Sequence, residues 1–214
     1  MNAPAAEPPS RATPNHRLQV EGLTGVREGR TLFAGIDVAL ASGELVQIEG
    51  ANGAGKTTLL RMICGLSMPE AGRVRWDGAD VADDPDPFRR ALTFVGHAAG
   101  VKRDLTPREN LQAALAIAGG GDGARCATAL ERVGLDGRAD TPLRRLSAGQ
   151  ARRVSLARLL LRPNPLWVLD EPFSALDVAG KAMLEALVVD HCRNGGMALL
   201  TTHQPADFGA LPVR

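Results

Sequence analysis

The chain has 214 residues, of which 44% are hydrophobic, a length and composition that suit one domain with a full hydrophobic core. Its 25 basic and 24 acidic side chains leave a formal net charge of +1, which gives no reason to expect a nucleic-acid partner. The three cysteines are odd in number and widely spaced, so they predict buried free thiols rather than a disulfide framework.

The first 16 residues differ in composition from the rest of the chain. They are rich in proline and alanine and lack the apolar core of a secretory signal, so we expect a disordered tail over residues 1–16. No apolar run downstream approaches the roughly 18–20 residues that span a bilayer. Any membrane role is therefore expected to come through partners.

Strand and helix patterns alternate over residues 17–214. Short strands are predicted at Arg17–Val20 and Ile36–Leu40, on either side of a Gly-rich turn around Gly25–Gly29. The pattern then predicts, in chain order, a strand at Glu44–Glu49, a helix over Lys56–Gly65, strands at Arg73–Asp77 and Ala91–Val95, helices over Leu105–Ile117 and Gln150–Leu161, and strands at Leu166–Leu169 and Met197–Thr202. This alternation predicts one three-layer α/β domain. Glycine-rich breaks near residues 78–125 indicate a helical insertion, which we place at about 98–160.

The most specific motif is GANGAGKT at Gly50–Thr57, which has the form GxxxxGK[ST] and lies between a predicted strand and a predicted helix. Its glycines let backbone N–H groups turn toward phosphates, and the helix adds its positive N-terminal end. We expect Lys56 to contact the outer phosphates of ATP and the Thr57 hydroxyl to ligate Mg²⁺. The predicted nucleotide-binding residues of this loop are Gly50, Ala51, Asn52, Gly53, Ala54, Gly55, Lys56, Thr57 and Thr58.

Two adjacent carboxylates follow the apolar strand LWVL, at the strand end where ligands of α/β proteins bind. Because neighbouring residues point in different directions there, we expect Asp170 to hold Mg²⁺ and Glu171 to polarise a water for attack on the γ-phosphate. His203 follows the next predicted strand and is expected to contact the γ-phosphate and fix the geometry of Glu171. The predicted catalytic residues are Glu171, His203 and Lys56, and the predicted metal ligands are Thr57 and Asp170.

The sequence LSAGQ at Leu146–Gln150 opens a predicted helix and is expected to form a second anion site. Nothing near it in the chain offers a ligand, so this site is expected to bind the ATP of a second copy. Its predicted nucleotide-binding residues are Ser147, Ala148, Gly149 and Gln150.

Several other charged residues are interpreted as surface residues. Four arginines on or just after the helix that follows LSAGQ are expected to form a solvated face rather than a nucleic-acid patch. They are Arg152, Arg153, Arg158 and Arg162. His16 and His191 are likewise placed on the surface.

Five motifs together resemble the ATP-binding subunits of ABC transporters in order and spacing, over roughly residues 17–208. They are GANGAGKT, LSAGQ, LWVLDEP, SALD at Ser174–Asp177 and TTHQ at Thr201–Gln204. The resemblance implies a P-loop NTPase fold with a RecA-like core, an antiparallel β subdomain and an α-helical insertion. It also implies ATP and Mg²⁺ as cofactors and a head-to-tail dimer, with each ATP between the Lys56 loop of one copy and the Ser147 element of the other. Asp177 is then expected at the dimer contact.

Two departures from the family's pattern narrow the resemblance. His97 stands where the family usually has a nucleotide-contacting glutamine, and Ala148 stands where it usually has glycine. The chain has no tyrosine, so either Arg27 or Phe33 is left to stack on adenine. With these features the chain resembles the ATP-binding subunit of the haem exporter of bacterial cytochrome c maturation. That resemblance implies docking onto transmembrane subunits at the cytoplasmic face of the inner membrane. We expect the segment His97–Asn110 to face these partners, because it lies between the core and the helical insertion.

Three alternatives remain open from the sequence. An ABC transporter subunit for another substrate would share all five motifs. A soluble ABC-type ATPase acting on ribosomes or DNA usually carries tandem ATPase units or long coiled-coil insertions, which 214 residues do not accommodate. A small-molecule kinase would share the phosphate loop but would leave LSAGQ and SALD unexplained.

Overall fold

The computed structural model describes residues 15–203 and 206–214. All but the last two residues of the predicted tail therefore lie outside the described residues, as does Gln204 of the TTHQ motif. The described chain contains two four-stranded sheets with helices packed against them. The predicted α/β class is confirmed, with an antiparallel sheet beside a parallel one.

The antiparallel sheet has the strand order β2–β1–β4–β5. Its strands are β1 (Arg17–Arg27), β2 (Arg30–Ala41), β4 (Ala71–Trp76) and β5 (Ala79–Asp80). The first two are much longer than predicted, because the glycines between them do not all form turns. Shifts of register between Val20 and Val26 let the pairing continue past them, with Gly22 and Gly35 at positive φ angles of 60° and 67°.

The parallel sheet has the strand order β3–β8–β7–β6 and carries the site described below. Its strands are β3 (Leu45–Ile48), β6 (Leu92–Val95), β7 (Leu166–Asp170) and β8 (Met197–Thr201). Every residue of β7 and β8 is buried, as expected of parallel strands that are covered on both faces.

The two central strands divide the core into two halves. Leu166 and Val168 pack toward the helix Lys56–Ile63 and the antiparallel sheet, whereas Trp167 and Leu169 pack toward the later helices. This alternation follows from the two-residue period of a strand. Burial of one large apolar side chain stabilises the fold by about 1.5–3 kcal/mol, so both faces of the sheet are firmly anchored.

The helices are α1 (Lys56–Ile63), α2 (Pro85–Ala91), α3 (Pro107–Ile117), α4 (Ala124–Arg132), α5 (Ala148–Ala157) and α6 (Val178–Arg193). Thr106 caps α3 in a reciprocal arrangement with Glu109, and the rigid φ of Pro107 suits the first helical position. The predicted helix from Gln150 begins earlier, at Ala148, and its last turn is a 3₁₀ turn over Arg158–Leu160.

Helix α6 has no counterpart among the predicted elements. Leu184, Leu187, Val188 and Cys192 are buried on it, but apolar residues also occur on its other faces. The helical period is therefore weak in the sequence, and the packing of α6 against β8 and α5 decides the element.

Helices α3, α4 and α5 contact one another within the region predicted as a helical insertion. The boundaries of that insertion, about 98–160, stay a prediction. No helix among residues 15–203 and 206–214 is long and apolar enough to cross a membrane. Cys64, Cys126 and Cys192 are free and buried, which confirms the prediction from their spacing.

Candidate functional site

The Gly-rich loop joins the end of β3 to the start of α1, as its motif predicts. Gly53 and Gly55 have φ angles of 82° and 90°, a region that side chains other than glycine rarely occupy. A Cβ atom on Gly55 would also lie 3.1 Å from Leu32 Cβ and 3.1 Å from Phe33 Cδ1. Glycine at this position therefore allows both the turn of the loop and its close approach to β2.

The Lys56 side chain bends back across the loop. Its Nζ donates hydrogen bonds to the carbonyl oxygens of Gly50 (2.6 Å) and Ala51 (3.3 Å). The same Nζ lies 3.6 Å from Glu171 Oε1, and both side chains are largely buried. The cation is thus held between the loop and the carboxylate that follows β7.

Asp170 is the buried carboxylate of the pair, with 1% of its surface exposed. Thr57 Oγ1 donates to Asp170 Oδ2 (2.8 Å), and Thr201 Oγ1 donates to Asp170 Oδ1 (2.9 Å). Both carboxylate oxygens therefore have a hydroxyl partner, so the buried charge is compensated by hydrogen bonds. These bonds bring the start of α1 together with the ends of β7 and β8.

Glu171 is placed by an unusual backbone conformation, with a φ of 46°. Its N–H donates to Thr201 Oγ1 at 2.9 Å, and its Oε2 lies 2.8 Å from His203 Nδ1. The Glu171 side chain is 13% exposed, whereas that of His203 is 48% exposed. A non-glycine residue held at positive φ stores strain, which occurs often at functional sites.

A cavity of about 500 Å³ opens between these groups. It brings residues from β1, β2, the Gly-rich loop, the segment after β6 and the ends of β7 and β8 to one place. Its lining residues are Arg27, Leu32, Ala51, Asn52, Gly53, Gly55, Lys56, Thr57, Thr58, His97, Asp170, Glu171 and His203. Gly50 and Ala54 belong to the loop but not to this lining.

The two residues predicted as alternatives for stacking on adenine differ in their position relative to this cavity. Arg27 lines it, with 71% of the side chain exposed. Phe33 does not line it but packs against Gly25 and Gly55. A larger cavity of about 760 Å³ lies beside Trp167 and His191, and it contains none of the predicted site residues.

The Ser147 element does not line the 500 Å³ cavity. Ser147 is exposed and caps α5, where its Oγ accepts from the N–H of Gln150 (3.1 Å) and its own N–H donates to Gln150 Oε1 (3.0 Å). A Cβ on Gly149 would lie 2.7 Å from the Ala175 carbonyl oxygen, so glycine lets the helix start pack against SALD. The structure therefore does not bring the two predicted phosphate-binding elements of one chain together.

The prediction that these four arginines form a solvated face is wrong. Arg152 is buried, and Arg153, Arg158 and Arg162 are each partly buried. Arg162 Nη1 donates to the Ala118 carbonyl at 2.7 Å, and burial lowers the pKa of Arg158. A guanidinium group has five N–H donors, so backbone carbonyls can satisfy it without water. The sequence pattern does not show which carbonyls lie near an arginine.

Arg153 connects α5 to the SALD segment. Its Nη2 lies 2.6 Å from Asp177 Oδ1, and the N–H of Gly180 donates to the same oxygen at 2.8 Å. The Gly180 bond and then the Arg153 bond hold the pKa of Asp177 below its usual range. Asp177 is thereby fixed as the N-cap of α6.

The two histidines predicted to be surface residues also have packed rings. His191 stacks on Trp167 with ring centroids 3.8 Å apart, and burial lowers its pKa from the usual 6.5 to about 4. His16 stacks on Trp76 at 5.1 Å, and its Nδ1 lies 2.8 Å from Asp77 Oδ2. Both histidines are thus partly buried, by aromatic rings that are distant in the sequence.

Comparisons with known proteins agree with this geometry. The profile of the ABC transporter family matches residues 33–174. The solved structure of an ATP-binding subunit of an ABC transporter superposes with a TM-score of 0.76 at 30% identity, covering 87% of this chain and 79% of that one. A solved ABC transporter ATP-binding protein from Pyrococcus furiosus has a TM-score of 0.79 at 24% identity, covering 92% and 96%, and supports the fold alone.

Curated relatives are more similar in sequence. The cytochrome c biogenesis ATP-binding export protein CcmA of Methylococcus capsulatus is 51% identical over 89% of this chain and 92% of its own. The protein of the same name from Dechloromonas aromatica is 49% identical over 92% of this chain and 97% of its own. The Vibrio cholerae protein is 48% identical over 87% and 91%. The chain therefore belongs to the ABC transporter family, within the group of cytochrome c biogenesis ATP-binding export proteins, and is an ATPase.

Proposed function

We propose that the chain is the ATP-hydrolysing subunit of a membrane complex that exports or delivers haem for the biogenesis of c-type cytochromes. The observation that carries this proposal is the identity of 48–51% to CcmA proteins over most of the chain. His97 and Ala148 support the same group, because both depart from the wider family's pattern. An exporter subunit for another substrate is the remaining alternative, and no described feature favours it.

We propose that Glu171 acts as the general base that polarises the attacking water. It lies at the wall of the cavity, 3.6 Å from Lys56 Nζ and 2.8 Å from His203 Nδ1. His203 fixes the Glu171 side chain from the open side of the cavity, while Lys56 approaches it from the phosphate loop. A base held between two fixed partners needs little reorganisation during reaction.

The residues of the predicted metal site suit Mg²⁺. Mg²⁺ prefers hard oxygen ligands and is usually held by one or two protein groups together with the phosphates of a nucleotide. Thr57 Oγ1 and Asp170 Oδ2 are 2.8 Å apart at the cavity wall and supply such oxygens. We propose that Thr57 and Asp170 hold the ion. When bound, Mg²⁺ would neutralise negative charge on the phosphates.

The position of the Ser147 element supports a composite site between two copies. Ser147 is exposed and lies outside the cavity that contains Lys56. A head-to-tail dimer would place Ser147 and the following N–H groups of each copy over the ATP held by the other. The adenine would then stack on Arg27, which faces the cavity, rather than on the packed Phe33.

The proposed setting is the cytoplasmic face of the inner membrane, where the chain docks onto transmembrane subunits. The segment His97–Asn110 is the proposed docking surface. It begins at the cavity with His97 and is ordered at its other end by Asn110, whose side chain bonds both the N–H and the C=O of Lys102. Such a segment can transmit the state of the nucleotide to a partner.

Gene deletion in the native host tests this function. We expect haem staining of c-type cytochromes to disappear while b-type cytochromes persist, and the wild-type gene to restore the signal. A gene with Glu171→Gln should not restore it at equal protein level. Normal c-type cytochromes in the deletion strain would contradict the haem assignment and would favour an exporter of another substrate.

A further inference from the structure

A single buried arginine connects the two candidate nucleotide-contacting regions of the chain. Arg152 is 3% exposed and lies on α5, five residues after Ser147. A guanidinium carries five N–H donors. Those of Arg152 bond to five backbone carbonyls, belonging to Gly96 (2.8 Å), His97 (3.3 Å), Asp170 (3.0 Å), Glu171 (3.0 Å) and Pro172 (3.3 Å). Each donor thus has an acceptor.

Those carbonyls belong to the two segments that carry His97 and Glu171 into the cavity. The N–H of Glu171 is held by Thr201, and its C=O is held by Arg152. A residue at a positive φ, as Glu171 is at 46°, persists only where its surroundings hold it. Arg152 and Thr201 therefore fix the backbone of Glu171 from its two sides.

Helix α5 connects Arg152 and its hydrogen bonds to the exposed Ser147 element. A helix rises 1.5 Å per residue, so Arg152 lies about 8 Å along the axis from Ser147. Val154, Leu156 and Ala157 are fully buried and hold the helix as one body. A displacement of the Ser147 end is consequently passed to the five carbonyls that Arg152 holds.

We propose that Arg152 is a positioning residue that makes Glu171 and His97 of one copy responsive to the nucleotide bound at Ser147 of the same copy. The inference rests on the proposed roles of Glu171 and Ser147. The ATP sites of a dimer are then coupled inside each copy, through α5. Lysine cannot replace the arginine, because an ammonium has three donors and no planar fork.

The test compares Arg152→Lys and Arg152→Met with wild type in the complete membrane complex. We expect kcat for ATP hydrolysis to fall about 10- to 100-fold, as for a misplaced catalytic group. The KM for ATP should stay near the wild-type value, and the Hill coefficient for ATP should fall toward one. Binding of a fluorescent ATP analogue by each variant verifies that the cavity has folded.

Two controls separate positioning from structural support. Val20→Ala truncates a buried side chain of β1, outside α5, and should lower the melting temperature without changing the Hill coefficient. Arg132→Lys makes the same exchange in an exposed pair with Asp190 and should change neither quantity. The proposal is wrong if Arg152→Lys keeps the wild-type kcat and Hill coefficient, if it resembles Val20→Ala, or if it loses ATP binding.

Glu171→Gln in the same assay distinguishes the hypothesis that Glu171 is the general base from the hypothesis that Arg152 couples the two sites. Retained turnover in Glu171→Gln would overturn the base assignment, whatever Arg152 does. A Hill coefficient of one in the wild-type complex would overturn the coupling alone, because hydrolysis would remain.

Discussion

The two proposed phosphate-binding regions of this chain differ in how completely they are assembled. Around Lys56, side chains from distant segments already bind one another, and Asp170 is buried with both carboxylate oxygens bonded. The Ser147 side chain bonds within its own capping box with Gln150 and is exposed. The first region is assembled from side chains within one chain, and the second is the element that we propose to serve another copy.

The largest expected effect comes from a change at Glu171, in the assembled region around Lys56. Glu171→Gln keeps the shape and the hydrogen-bonding capacity but removes the basic carboxylate, so ATP should still bind while turnover falls about 10²- to 10⁴-fold. Steady-state phosphate release and binding of a fluorescent ATP analogue measure the two quantities. Glu131→Gln, on the exposed surface of α4, is the matched control. Unchanged turnover in Glu171→Gln would remove this residue as the base.

The next effect concerns the outward-facing region. Ser147→Arg should lower hydrolysis about 10²- to 10³-fold, as for the loss of a transition-state donor. ATP binding to isolated monomers should be unchanged, because Ser147 lies outside their cavity. The lost N-cap costs about 1 kcal/mol, which thermal unfolding measures separately. Ala186→Arg on the exposed face of α6 is the charge control. Equal loss of monomer binding would contradict the composite site.

The smallest expected effect concerns His191, which packs at the end of the parallel sheet opposite the cavity. It tests whether a change in stability there leaves ATP hydrolysis unaffected. His191 is neutral in the fold because burial lowers its pKa from 6.5 to about 4. The unfolded chain binds the proton first, so stability falls as the pH falls from 6.5 to 4, by up to about 3 kcal/mol. Denaturant unfolding at several pH values measures this slope.

His191→Gln removes this titration while its amide can still donate to the Met197 carbonyl, which His191 Nε2 contacts at 3.2 Å. We expect a flatter pH profile of stability and unchanged ATP hydrolysis at pH 7.5. A profile as steep as that of wild type would show that another group causes the acid loss.

Residues within a motif were predictable because their role is local. The Gly-rich loop, Thr106 and Asp170 each follow from neighbours in the sequence, and the structure places the predicted loop, His97, Glu171 and His203 around one cavity. Their catalytic and binding roles stay predictions. The prediction that Arg152 lies on a solvated face was wrong, because its five acceptors come from segments up to 56 residues away.

The sequence by itself determined the α/β class, the phosphate loop, the carboxylates at the end of β7 and the family, since these depend on short patterns and their spacing. Only the tertiary structure decided the length of β1 and β2, the existence of α6 and the burial of Arg152 and His191. Those features depend on strand pairing, on packing from several sides and on carbonyls or rings that are distant in sequence. Such partners leave no periodic pattern in the residues that they satisfy.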